Sequence, residues 1–270
     1  MKTKWLLFWL LGILGLVGCA VGQAKDSETD PQELTVFAAA SLTDAFNELA
    51  KAFQAQPDYS QNDRVQVVLN FAGSSQLAAQ LIEGVSADVF ASANATQMQN
   101  VIKSGRIEAS SEALFVSNRL AVIVPADNPA GIYALEDLAQ PGVKLILAVN
   151  GVPVREYTDE LVAAMAADFQ EQFYGNLVSE EDNVRLVAAK VALGEADAGI
   201  VYTSDVTPDM ADRVLQIAIP DAQNVIASYP IAPLVDAPHP ELAQRFIDFA
   251  LSAEGQNILS RWGFGSPPTN

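Results

Sequence analysis

The chain has 270 residues, half of them apolar, with 33 acidic against 15 basic side chains and a formal net charge of −18. That long-range field opposes nucleic acid and acidic membrane surfaces, so any anion the protein takes must be held by local donors. The single cysteine, Cys19, excludes a disulfide within the chain, and the length suits one large or two medium lobes.

Lys2 and Lys4 precede an apolar run, Trp5 to Val17, which is too short and wrongly flanked for a stable membrane span. It closes on Leu16-Val17-Gly18-Cys19, which resembles a bacterial lipobox. The expectation is a leader over 1–18, cleavage before Cys19 and a lipid on its thiol. Residues 19–33 are polar and acidic and read as a tether between lipid and domain. No later stretch is apolar for long enough to span a bilayer.

Leu34 to Phe37 reads as a buried strand, and Leu42, Phe46, Leu49, Ala50 and Phe53 recur at helical spacing. Between them lie three alanines and Ser41, with Ser41 in N-cap position and Asp44 completing a capping signature. Such a turn leaves free N–H groups and a positive helix end at the carboxyl edge of a sheet. The pattern returns: Val65 to Phe71 is a strand, Ala72-Gly73-Ser74-Ser75 a small-residue turn capped by Ser74 or Ser75, and Gln76 to Ile82 a helix. Asp88 to Ser92 is a third strand, followed after Ala93-Asn94 by a helix to Ile102. This alternation predicts a parallel, doubly wound α/β sheet.

Further on, the pattern predicts a strand over 118–125, a short helix over 135–138, a strand over 145–149 and a helix over 158–169, with Pro153 and Val154 at its approach. Ser179-Glu180-Glu181-Asp182 reads as a second capping box opening a helix that Gly194 closes. Ala198 to Tyr202 is a short buried strand, and 214–219 and 226–234 are later strands. His239-Pro240 opens an amphipathic helix, and Ser252-Ala253-Glu254 starts the last one.

Several fragments in order resemble the molybdate-binding protein of bacterial ABC transporters. They are Val36-Phe37-Ala38-Ala39-Ala40-Ser41-Leu42, Phe71-Ala72-Gly73-Ser74-Ser75, Ala87-Asp88-Val89-Phe90-Ala91-Ser92-Ala93, Val152-Pro153, and Gly199-Ile200-Val201-Tyr202 with Ser204-Asp205. Gly255-Gln256 and Gly263-Phe264 also fit. The resemblance implies a two-lobed periplasmic-binding-protein type II fold, each lobe a mostly parallel sheet flanked by helices, with the ligand cleft between. The crossings would fall near 118 and 225, giving one lobe of 34–117 plus 226–270 and another of 118–225.

It also implies a tetrahedral oxyanion, molybdate or tungstate, held by neutral donors: the hydroxyls of Ser41, Ser74 and Tyr202 and the backbone N–H groups of Val154 and Val184. No cofactor and no directly coordinated metal are implied. The implied partners are an ABC permease and its ATPase, and the implied place is the extracytoplasmic face of the cell membrane, with the lipid as the sole membrane contact and the protein a monomer. Where the family has a small residue, this chain has Arg155; a surface role is expected, sensing the anion or pairing with Glu156 or another acid.

A site that offers only protons disfavours a ligand carrying its own, because one buried donor is then unpaired at about 1–3 kcal/mol. Sulfate escapes that filter and phosphate does not. The same scaffold serving sulfate, phosphate, an iron carrier or an organic anion is the competing expectation. Each residue also has a bland alternative: Ser41 and Ser74 as caps only, Tyr202 as a core tyrosine, Asp88 and Asp205 as structural anchors, His239 as a solvated helix start. A hydrolase using either serine lacks a base close in sequence and any Gly-x-Ser-x-Gly elbow, so no enzymatic activity is expected.

Overall fold

The computed structural model describes residues 31–57 and 64–267. The leader, Cys19, the tether up to Asp30 and the middle of the polar loop after Pro57 lie outside them.

Strand β1 (Gln32–Ala39) pairs in parallel with β2 (Val65–Ala72) and with β3 (Val89–Ala91). It begins two residues before the expected Leu34, because Gln32 and Glu33 continue the ladder opposite Val65 and Gln66. The alternation of its side chains covers both faces. Val36 and Ala38 join the core under helices α1 (Thr43–Gln54), α7 (Pro240–Leu251) and α8 (Ala253–Arg261), while Phe37 points to a second core under α2 (Ser74–Ile82) and α3 (Ala95–Lys103). The first core is aromatic: Phe53 and Phe46 meet the Phe246 ring edge-on at 5.3 and 6.0 Å between centroids.

Strand β4 (Ala113–Pro125) is long enough to belong to two ladders. Residues 113–119 run antiparallel to β9 (Ile226–Pro233), and 120–125 run antiparallel to β7 (Ala198–Tyr202) and β8 (Val214–Ala218). Beyond β7 lie β5 (Leu145–Ala148) and β6 (Leu177–Glu181), in parallel register with one another, and β5 is also parallel to β7. The strand order is β2-β1-β3-β9-β4-β7-β5-β6, with β8 attached to β4. Helices α4 (Pro153–Ala163), α5 (Ala167–Gly175) and α6 (Val184–Ala192) flank the second half.

Three local expectations are corrected. Residues 179–182 do not open a helix: 177–181 form a strand, and Asn183 is the cap of α6, accepting from the Leu186 N–H at 3.1 Å. The helix expected over 158–169 is two helices. The first starts earlier, with Pro153 at N1, where its missing N–H costs nothing. Neither Ser41 nor Ser74 caps. A 3₁₀ turn, Ala40–Leu42, stands between β1 and α1, and Gly73 holds the N-cap position of α2.

Close packing places the last strand before the site. A Cβ on Gly199 would meet Val187 Cγ1 at 2.8 Å, Val191 Cγ2 at 3.1 Å and the Ile146 carbonyl oxygen at 3.2 Å. Only hydrogen at this position lets α6 lie directly on β7. Gly199→Ala is expected to destabilise by about 1–3 kcal/mol through overpacking. In urea unfolding the midpoint falls with an unchanged slope; a midpoint equal to wild type contradicts the packing account.

Candidate functional site

The carboxyl ends of parallel strands converge where the sheet halves meet, and each hands over to a helix start. β2 leads through Gly73 into α2, β5 through Val152 into α4, and β6 through Asn183 into α6. Ser41, Ser74, Val154, Val184 and Tyr202 all line one cavity there. Its remaining walls are small or apolar, among them Ala39, Ala40, Ala93 and Val152, with Gly73 and the cap Asn183. None of these lining residues carries a charge. The space between these walls, counting what opens to solvent, is about 210 Å³, small beside the several hundred Å³ of pockets for drug-sized ligands.

The polar groups facing this space are set up as donors. Val154 and Val184 stand in the first turns of α4 and α6, where an N–H has no intrahelical acceptor. Ser74 Oγ already accepts from the Ala93 N–H at 3.0 Å, so its own proton is left for another partner. Ser41 Oγ lies 3.0 Å from the Tyr229 hydroxyl. The Tyr202 hydroxyl is buried and has no hydrogen-bond partner among the described residues. Burial first, then the neighbouring Tyr229, Tyr157 and Asp205, push the Tyr202 phenol well up, so it keeps its proton. An orphaned buried hydroxyl is costly, and the structure keeps one here.

Charge stands behind the walls. Asp205 is fully buried, accepts from the Tyr202 N–H at 3.0 Å and forms an ion pair with Arg185 Nε at 3.0 Å that lacks hydrogen-bond alignment. Arg185 also reaches Asp44 of α1 at 2.7 Å, joining α6 to α1. Arg155 is not at the surface. It is only 7% exposed, donates to the Ala148 carbonyl, and pairs with Asp159 at 2.8 Å and Glu180 at 2.5 Å. The i+4 spacing to Asp159 was a readable signal; Glu180, away from α4 on β6, was not. His239 lies 3.6 Å from Asp88 and does not line the cavity. Asp88 accepts from the N–H groups of Thr35 and His239, which makes it a structural anchor. Gly73, in the small-residue turn, permits the tight backbone approach expected of a glycine there: a Cβ would lie 2.7 Å from the Asp182 carbonyl oxygen, across the cleft. Sequence reasoning missed Asn118 and Tyr229, which read as ordinary strand residues.

Two sheet halves that share the long strand β4, with a cleft of uncharged lining at the junction, define a receptor for a small solute. The profile of the bacterial extracellular solute-binding proteins matches residues 34–265. The molybdate-binding protein ModA of Mycobacterium tuberculosis is 37% identical over 259 residues, spanning 94% of each chain. Two solved structures share the fold: the Azotobacter vinelandii periplasmic molybdate-binding protein (TM-score 0.73, 17% identity, covering 87% of this chain and 100% of that one) and the M. tuberculosis sulfate-binding protein SubI (TM-score 0.79, 19% identity, 86% of each). The chain belongs to the bacterial extracellular solute-binding protein family.

Burial pushes the Asp205 carboxyl up to about 6, with the Arg185 charge and the Tyr202 N–H offsetting only part of the effect. The folded value lies above the ordinary carboxyl range, so the folded state holds the proton more tightly than the unfolded chain. Its contribution is present below about pH 4 and is lost as pH rises through about 6. Relative to wild type, Asp205→Asn is therefore expected to gain unfolding free energy between about pH 4 and pH 7. Urea titrations of both proteins across that range read the difference, and a gap that is flat or widens against the variant refutes the assignment.

Proposed function

We propose that the protein captures molybdate, and tungstate by the same chemistry, between lobes formed by 34–117 plus 226–270 and by 118–225. Ser41 and Ser74 donate from the first lobe; the Val154 and Val184 N–H groups and the Tyr202 hydroxyl donate from the second. Lipidated at Cys19, the protein delivers the anion to a membrane permease driven by an ATPase. The observation that carries the reading is the buried Tyr202 hydroxyl, without a hydrogen-bond partner among the described residues, on a residue that lines a cavity with the two serines and the starts of α4 and α6. A tetrahedral dianion supplies the acceptors those groups lack, and fixed dipoles at helix starts stabilise it without a counter-ion. The high identity to a molybdate-binding relative supports this choice of anion.

Sulfate is the second reading, favoured by the fold shared with a sulfate-binding protein. Both anions are fully ionised at neutral pH, and cavity size decides between them. Titration calorimetry separates the two: tight binding of molybdate with sulfate at least about a hundredfold weaker supports the first reading, and the reverse order establishes the second.

Tyr202→Phe gives a sharper test. Removing a hydrogen bond to a charged partner costs about 1.5–3 kcal/mol, so molybdate affinity should fall roughly tenfold or more. The ligand-free variant should be at least as stable as wild type, because a partnerless buried hydroxyl has been removed. Lost stability with unchanged affinity would show that the hydroxyl serves the core alone.

A further inference from the structure

Ser41 is useful as a donor only if its proton points into the cavity, and a serine hydroxyl rotates freely between donating and accepting. Among the described residues its side-chain partner is the Tyr229 hydroxyl at 3.0 Å, a pair in which either oxygen could donate. The rest of the cluster removes that freedom. Asn118 Oδ1 accepts from its neighbour's backbone, the Arg119 N–H at 2.9 Å, and from Thr203 Oγ1 at 2.9 Å. A backbone N–H can only donate, so the amide orientation is fixed with Nδ2 on the opposite side. Nδ2 donates to Ser204 Oγ at 2.8 Å and to the Tyr229 hydroxyl at 3.4 Å. Among the hydrogen bonds of the Tyr229 hydroxyl, Asn118 Nδ2 can only donate, which leaves Ser41 Oγ as the partner that can take the Tyr229 proton. Burial first, then Asp205, push the Tyr229 phenol well up, so the proton is present to be given. Ser41 therefore accepts from Tyr229, and its own proton is turned toward the cavity.

We propose that Tyr229 and Asn118 are positioning residues that fix Ser41 as a donor to the bound oxyanion. Neither residue lines the cavity; Asn118 lies on β4, the strand shared by both ladders, and Tyr229 on β9, which pairs with the first part of β4. The relay thus runs from the junction of the ladders into the site. Ser74 reaches the same polarity by a shorter route, through the Ala93 N–H. The proposal rests on the oxyanion reading above and adds the device that sets the direction of one of its donors.

The test is a double-mutant cycle read by molybdate titration. Tyr229→Phe keeps the ring contacts with Phe115, Tyr202 and Phe264 and removes only the hydroxyl. It is expected to weaken molybdate binding roughly five- to tenfold in the wild-type background and less than about twofold in the Ser41→Ala background. Equal losses in both backgrounds, or no loss in the first, overturn the relay. Asn118→Asp is the second arm, and it stands if Tyr229→Phe does not fold. It replaces the amide donor with an acceptor, so the Tyr229 proton turns away and Ser41 must donate to Tyr229. The added charge acts in both backgrounds, whereas the reversed relay acts only where Ser41 is present. A loss confined to charge, equal in the two backgrounds, overturns the proposal. If wild type binds no molybdate, or Ser41→Ala binds it as wild type does, the oxyanion reading itself fails, a result distinct from either overturning outcome.

Discussion

Buried hydrogen-bond donors without acceptors are the constraint on which this structure turns. A folded protein ordinarily pairs nearly every buried polar group, because desolvating one without a partner costs about 1–3 kcal/mol. In the cleft, the Tyr202 hydroxyl has no partner and two helix starts present N–H groups that no intrahelical carbonyl can reach. The two serines have their acceptor capacity engaged by Ala93 and Tyr229. No lining side chain supplies a carboxylate or any other strong acceptor. An imbalance of this kind lowers the stability of the protein alone and is recovered when a species made wholly of acceptors enters. The overall charge of −18 makes the same point from outside: attraction at long range does not operate, so selection has to come from contact geometry.

The fold follows from that need. Helix starts can share one small cavity only if the strands before them end together, which parallel strands do at their carboxyl edges. One sheet half contributes α2 and the turn carrying Ser41, the other α4, α6 and the end of β7. Small residues at the handovers bring backbones close, as at Gly73 beside the Asp182 carbonyl and Gly199 beneath α6. The antiparallel strands β4 and β9 do a different job. β4 carries the chain from one ladder to the other, and β9 pairs with its first part, so that Asn118 and Tyr229 meet near the junction.

The alternation of strand and helix was legible because it depends on local periodicity; the two serine turns were legible as strand, small residues and helix in order, while Val154, Val184 and Tyr202 were placed in the site only through the resemblance to molybdate-binding proteins. The roles of particular side chains were less so. Ser41 sits four residues after a strand end with Asp44 beyond it, which satisfies every local rule for a cap. Its oxygen is instead engaged by Tyr229, 188 residues away, and local sequence holds no trace of that contact. Ser74 fails as a cap for the same reason, its partner being Ala93. At 179–182 the acidic run imitates a helix start, yet the alternating exposure of Leu177 to Glu181 is that of an edge strand, and the true cap, Asn183, comes one step later. Arg155 reads as a surface residue because arginines usually are; two acids and a carbonyl neutralise its burial, and one of those acids, Glu180, lies away from α4 on β6.

What joins the two sides of the cleft is weak, and weakness is required. The rim is closed by Arg185 with Asp44, by the Asn94 amide donating to Glu156 at 2.6 Å, and by Gln97 donating to the Gly151 carbonyl at 2.9 Å. Partly exposed ion pairs contribute about 0–1 kcal/mol each, and ordinary hydrogen bonds about 0.5–1.5 kcal/mol net. Together these three contribute about 1–4 kcal/mol. Any solute that draws donors from both sides binds the shut form more tightly than the open one, and that difference alone can shift the balance. Had the rim been sealed by a large apolar interface, the solute would add little to a form already dominant and could not leave it. Small polar contacts at the edge and unpaired donors at the centre therefore belong to one arrangement: with little holding the edge, a solute that satisfies donors from both sides supplies a large part of what keeps them together.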